Sequence, residues 1–393
     1  MIYLDNNATT VILPEVVQRI TELLQQGLVN SASQHQGGRR ARRVLDDAKD
    51  QIANLCGLQH DSVQADQILL TSGGTEANNL AIFGMASKPG CIVVSSIEHP
   101  SVLEAALQWQ RRGRTVKLLP AKSDGRVCTD TFREWVSQHR QDPSQHISLV
   151  SVMAVNNETG VIQPIDVLAP LCREHGILFH SDAVQAVGKI PISFRDLPID
   201  ALTLTAHKLH GPVGIGALLV RNGVSIEPLL WGGQQQMGLR PGTEPIALAA
   251  AMALTLELAI TNREDRCRRM QAARDQLESY LLAHHPWIEI LGRESPRIPN
   301  TSLVSFTGRN RQSLQMGFDL AGIACSTGSA CASGSSQPSH VLKAMGLNAT
   351  QWEGALRFST SFQTTIQEMV DACKIIDRVI DPPSSELNRE RTL

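Results

Sequence analysis

Two stretches decide the fold: Ile177-Leu178-Phe179-His180-Ser181, followed by Asp182, and Ala201-Leu202-Thr203-Leu204-Thr205, followed by Ala206-His207-Lys208. Each is an apolar run of strand length with its polar residues gathered at the C-terminal end, the mark of a buried strand opening into a site. Working outward, the same arrangement recurs. Residues 68–71 run into Ser72-Gly73-Gly74-Thr75-Glu76, residues 92–95 lead to Glu98-His99-Pro100, and residues 147–155 lead to Asn156-Asn157-Glu158. Residues 216–221 form another strand candidate. Helical periodicity fills the gaps at 14–24, 40–55, 76–85, 101–112 and 164–175. Strands alternating with helices predict an α/β fold, a mostly parallel sheet covered on both faces. In such sheets ligands bind beyond the carboxyl ends of the strands, so five reactive endings in succession point to one site.

The chain has 393 residues, too many for one ordinary core. Composition shifts near Thr261, where 262–285 is charged and helical, followed by strand candidates at 288–291 and 301–306 and a last helix after Thr364. The expected organisation is a large domain over 15–260 and a smaller α+β domain from 1–14 and 261–393. The smaller domain takes the N-terminal strand 2–5 and a mobile loop at about 325–338, and the tail from Pro382 is expected to fray. A formal net charge of -2 gives no global field for nucleic acid or an anionic membrane, and the cluster Arg39, Arg40, Arg42 and Arg43 reads as a solvated helix face. No apolar run reaches the ~20 residues of a membrane span, and the first residues have neither a basic start nor an apolar signal core. The expectation is a cytoplasmic protein with reduced thiols, most of its 8 cysteines being small core residues.

Residue chemistry narrows the site. Ser72 to Glu76 offers glycines and a helix start, which suits a phosphate, and equally a tight capped turn; it is neither a Walker loop nor a dinucleotide fingerprint. Asp182 and Lys208, at the ends of neighbouring strands, are the pair that pyridoxal phosphate requires: a lysine for the imine and a carboxylate for the pyridine nitrogen. His99 reads either as a ring stacked on a cofactor or as a helix-entry histidine. Arg357, inside the apolar run 355–359, reads as a carboxylate clamp or a structural ion pair. Cys172, His175, His180, His207 and His210 match no compact zinc spacing. Cys331 lies in a small, polar, Gly-rich run, 325–336, where a thiol is expected to be exposed and able to move.

Together these residues resemble a known family. Tyr3-Leu4-Asp5-Asn6-Asn7-Ala8-Thr9-Thr10, Thr71 to Asn79, Asn156 to Gly160, His180-Ser181-Asp182-Ala183-Val184-Gln185, Ala206 to Pro212, Ser326-Thr327-Gly328-Ser329-Ala330-Cys331 and Leu356-Arg357-Phe358-Ser359 are similar to the motifs of class V aminotransferase-like enzymes. Within these the chain resembles the cysteine desulfurases of the iron–sulfur-assembly and nitrogen-fixation type. The likeness runs from the first residues to about Phe362.

The resemblance implies the pyridoxal-phosphate-transferase-like fold (fold type I). It implies conversion of L-cysteine to L-alanine, with the sulfur passed to Cys331 as a persulfide and then to an acceptor such as an iron–sulfur scaffold protein. Lys208 resembles the Schiff-base lysine, Asp182 the pyridine-nitrogen partner, Gln185 the ligand of the ring hydroxyl, and His99 the stacking residue and acid–base. Gly74, Thr75, Thr205 and His207 resemble phosphate ligands. Thr243 resembles one given by a partner subunit, which implies a homodimer. Asn157, itself among the cofactor-contacting residues, and Arg357 resemble the substrate-carboxylate clamp. Cys331 is also a candidate transient cluster ligand; no resident metal is expected. The family pattern departs at Thr327, at Ala332 and at Asn30-Ser31-Ala32-Ser33, none of which removes a reacting atom. A selenocysteine lyase or aminotransferase on the same fold, and a non-catalytic sulfur-carrier subunit, are the alternatives at this level.

Overall fold

The computed structural model describes residues 1–60, 64–141, 146–328 and 339–381. Its elements in chain order are β1 (Ile2–Tyr3), α1 (Pro14–Gln25), α2 (Gln36–Cys56), β2 (Gln67–Thr71), α3 (Gly74–Met85), β3 (Cys91–Ser95), α4 (Pro100–Arg111), β4 (Val116–Leu119), α5 (Thr129–Gln141), β5 (Ile147–Ser151), α6 (Ile165–Glu174), β6 (Leu178–Asp182), β7 (Ala201–Thr205) and β8 (Gly216–Val220). There follow α7 (Ile246–Thr261), α8 (Arg263–His284), β9 (Ile288–Leu291), β10 (Thr301–Phe306), α9 (Arg311–Leu320), β11 (Ile323–Ala324), α10 (His340–Ala344), α11 (Ala349–Glu353), β12 (Ala355–Ser359) and α12 (Ile366–Ile380).

The seven-stranded sheet has the order β2-β8-β7-β6-β5-β3-β4. All its neighbours are parallel except that β8 runs antiparallel to both β2 and β7. Strands β3, β5, β7 and β8 are buried along their whole length, as expected for a sheet covered on both faces. Because only β8 is reversed, the ends of β2, β3, β5, β6 and β7 share one rim. A second, antiparallel sheet has the order β12-β10-β9, and β1 pairs in parallel with β11. The N-terminal segment then crosses to β12, where Asp5 bridges Ser359.

Three readings from the sequence change. The strand expected over 147–155 stops at Ser151, because Asn156 draws the chain into a turn: its Oδ1 accepts from the Glu158 and Thr159 amides at 3.0 and 2.9 Å. Half-buried β4 and uniformly apolar α7 lacked a one-faced pattern; nine of α7's residues are buried. Finally, the first residues of the loop expected at 325–338 are not free. Cys325, Ser326 and Gly328 are buried, and Ser326 exchanges backbone hydrogen bonds with Arg357 at 3.1 and 2.7 Å, which spares both chains a buried unpaired amide. The rest of that loop, with Cys331, and the tail from Pro382 lie outside the described residues.

Candidate active site

The strand endings meet at a cavity of about 600 Å³ on the shared rim. Gly74, Thr75, His99, Asn157, Asp182, Gln185, Thr205, His207, Lys208 and Arg357 all line it. Thr243 does not; it is exposed, away from the cavity of its own chain. Cys331 is outside the described residues.

The Lys208 amine donates to the carbonyls of Asn7 and Ala8, both at 2.6 Å. Nothing near Lys208 in sequence foretells this, since the N-terminal segment comes from about 200 residues away. Asn7 is itself fastened: its amide donates to Thr301 Oγ1 at 2.8 Å and to the Asn157 carbonyl at 3.2 Å. Gln185 Nε2 donates to the Asn7 carbonyl at 3.0 Å, and behind it the buried Lys189 amine donates to Gln185 Oε1 at 2.8 Å. Burial first, then the nearby Lys208 charge, pushes Lys189 down to about 7.

Across the cavity, Asp182 Oδ1 accepts from the Val184 amide at 2.9 Å and Oδ2 from Asn78 Nδ2 at 2.7 Å. Asn78 also donates to Ser101 Oγ at 2.8 Å, and that hydroxyl lies 2.7 Å from His99 Nδ1. The Ser101 amide donates to the same Nδ1 at 3.1 Å, so Nδ1 is an acceptor and the ring proton sits on Nε2. His99 caps α4, as the helix-entry reading expects, and it also lines the cavity. Burial, the largest influence, lowers its pKa and keeps it neutral. Asn78 and Ser101 were missed from sequence because neither ends a strand. The only signal for them is the offset of one helical turn from Gly74 and their place in a first helical turn.

Gly74 and Thr75 begin α3, whose N-cap residue, Gly73, makes no side-chain cap, so first-turn amides are left for a ligand. A Cβ on Gly74 would lie 3.1 Å from Val184, which is why a small residue stands there. Thr205 Oγ1 gives its proton to the Ile215 carbonyl at 2.9 Å and so offers lone pairs rather than a donor in this arrangement. His207 Nδ1 lies 3.2 Å from Thr9 Oγ1, and burial with the neighbouring Lys208 pushes its pKa down to about 4. The segment carrying Thr243 is pinned beside this end. Arg240 grips Glu76 at 2.8 and 3.2 Å, and Gln236 pairs with both the amide and the carbonyl of Leu70, at 2.7 and 2.9 Å.

At the opposite end Arg357, 2% exposed, donates to Asp5 Oδ1 at 2.7 Å and to the Asn157 carbonyl at 3.0 Å. Its Nε is buried with no partner among the described residues, so the ion pair with Asp5 leaves the guanidinium with unused donor capacity, and Arg357 lines the cavity. Beneath lies Glu158, fully buried with its pKa raised by that burial; Ser339 donates to its Oε2 at 2.6 Å. His340 Nε2 donates to the Glu98 carbonyl at 2.8 Å. The residues that flank 329–338 in the chain are thus tied to the strand rim. His180 was grouped with the metal-type residues, but it is consumed inside the sheet by Ser151 and Thr203.

A buried anion at Asp182, an amine at Lys208, a free helix start and a guanidinium at the far end fit a phosphorylated pyridine aldehyde and an amino acid side by side. The class-V aminotransferase family model matches residues 2–372. The chain belongs to that family. Among its relatives is a cysteine desulfurase of Cereibacter sphaeroides, 42% identical over 384 residues, covering 97% of this chain and 96% of the relative. A NifS-like protein from Rickettsia africae superposes with a TM-score of 0.87 at 30% identity, covering 97% of this chain and 99% of that one. A protein named SspA, solved in complex with cysteine, superposes with a TM-score of 0.77 at 30% identity, covering 91% of this chain and 98% of that one.

Proposed function

We propose that this chain is a pyridoxal-phosphate-dependent cysteine desulfurase that converts L-cysteine to L-alanine and delivers the sulfur through Cys331. The observation that carries the reading is the convergence of Lys208, Asp182, Gln185 and Arg357 on one cavity. Further support comes from the cysteine desulfurase relative and the cysteine complex of SspA.

Lys208 would tether the cofactor, Asp182 would hold its pyridine nitrogen, Gln185 its ring oxygen, and the start of α3 its phosphate. When bound, that group takes up the electrons of the substrate Cα–H bond and so weakens the bond from Cβ to sulfur. Lys208 then serves as the base for the Cα proton, and the carbonyls of Asn7 and Ala8 hold its amine in the cavity. His99, with its proton on Nε2, presents an acid to the same space. Arg357 and Asn157 orient the substrate carboxylate. The Cys331 thiolate attacks the substrate sulfur: the new S–S bond forms, the Cβ–Sγ bond breaks with its electron pair going to Cβ, and Cβ takes a proton to become the alanine methyl. The balance is one cysteine and one Cys331 thiol giving one alanine and one Cys331 persulfide, from which an acceptor thiol such as that of an iron–sulfur scaffold takes the sulfur. The protein acts as a homodimer in which Thr243 reaches the partner's phosphate; its exposure outside its own cavity is consistent with that role, as is the exposed Trp231 nearby.

The test is alanine and sulfide release from L-cysteine with a thiol reductant. Equal amounts of both, lost in Cys331→Ala while the coloured cofactor stays bound, support the reading. Full alanine production by Cys331→Ser, or a coloured protein releasing no sulfide, overturns it.

A further inference from the structure

Gln185 is held from behind by a residue that nothing in the reaction uses. Lys189 sits four residues further along, 9% exposed, with its amine 2.8 Å from Gln185 Oε1. An amine facing an amide in this way fixes which end of the amide is which. The Lys189 N–H must meet the oxygen, and the Asn7 carbonyl, 3.0 Å from Nε2, must meet the nitrogen. One hydrogen of Nε2 goes to Asn7. The other has no acceptor among the described residues, and Gln185 lines the cavity. The remaining Nε2 hydrogen is therefore free to donate to a bound group.

We infer that Lys189 is a positioning residue that locks Gln185 as a hydrogen-bond donor toward the ring oxygen of the cofactor and, by polarising the amide, strengthens that donation. The inference rests on the proposed function and deepens it. A donor at the ring oxygen stabilises its anionic form, so the lock lowers the pH at which the coloured group loses its proton. Either protonation state of the Lys189 amine retains an N–H for Oε1, so the lock persists across neutrality. A small cavity of about 30 Å³, lined by both Lys189 and Lys208, has room for one water to serve the other amine hydrogens. Without Lys189, Oε1 would be buried without a donor, and only the Asn7 carbonyl would be left to hold the orientation of the amide.

The experiment is a pH titration of the visible absorption band of the full-length protein loaded with pyridoxal phosphate, for wild type, Lys189→Met, Gln185→Met and the double variant. Lys189→Met is expected to move the midpoint up by about one pH unit, a roughly tenfold change in proton affinity. Gln185→Met should move it at least as far, and adding Lys189→Met to Gln185→Met should move it no further, because the lysine acts through the amide. A Lys189→Met midpoint equal to wild type overturns the inference, as does a double variant in which the two shifts add. A wild type that takes up no coloured cofactor overturns the functional reading and the inference with it, so the two failures are distinct.

Discussion

Glu98 makes a quantitative demand on the pH dependence of stability. Its side chain is fully buried; Oε1 accepts from Ser95 Oγ at 2.6 Å and from the Met153 amide at 2.7 Å, while Oε2 has no partner among the described residues. Burial, with a smaller push from Asp182, raises its pKa from the ordinary 4.5 to about 8. Between those values the folded protein keeps the proton and the unfolded chain has released it. Stability is therefore lost as pH rises through this window, by about 1.4 kcal/mol per pH unit and about 5 kcal/mol across it, as an upper figure. Glu98→Gln removes the titration and keeps the shape. Its amide nitrogen takes the place of Oε2 and is as short of a partner as the acid O–H was, so the two proteins should be about equal at pH 5. By pH 8 the variant should be more stable by about 4 kcal/mol, which for a chain of this length is a rise in Tm of about 5 °C over wild type. The assay is thermal unfolding of both proteins at pH 5, 6, 7 and 8, at one protein and one cofactor concentration so that other titrations cancel in the difference. A difference in Tm that does not grow with pH refutes the account of a neutral buried carboxyl.

Three other outcomes follow from the site. Asn78→Leu strips Asp182 Oδ2 of its donor; the affinity for pyridoxal phosphate should fall about tenfold in a fluorescence titration, and unchanged affinity would detach Asn78 from the cofactor. Arg357→Lys keeps the charge but loses the fork that serves Asp5 and the cavity together, so KM for L-cysteine should rise at least about tenfold; an unchanged KM would leave Arg357 with the ion pair alone. Gln236→Ala releases both the amide and the carbonyl of Leu70 and should cost about 1–3 kcal/mol of stability, read by denaturant titration.

The sheet and the rim were legible because the apolar strands β2, β3, β6 and β7 each end on a polar residue, Thr71, Ser95, Asp182 and Thr205. That pattern alone brought Gly74, His99, Asp182 and Lys208 to one place. What remained hidden depends on contacts between distant segments. The Asn7 and Ala8 carbonyls that hold Lys208, and the Asp5 carboxylate that holds Arg357, arrive from the N-terminus through β1 and the bridge to Ser359, which periodicity near Lys208 or Arg357 does not report. Asn78 and Ser101 were hidden differently. Each looks like an ordinary polar residue early in a helix, and only the packing of α3 beside α4 turns them toward Asp182 and His99.

The Gln236 clasp reaches beyond the site. Strand β2 ends the seven-stranded sheet, and an unpaired strand edge invites a strand from another molecule. Here a side-chain amide imitates the missing neighbour at Leu70, held in place by two consecutive residues, Gln236 and Met237, at φ 48° and 60°, a left-handed conformation that non-glycine residues adopt only under constraint. The same loop presents Thr243 seven residues on. An insertion or deletion between the two would therefore do double harm: it would shift the threonine proposed to reach the partner's phosphate and unmask a surface prone to aggregation, so this loop should tolerate substitution far better than a change in length.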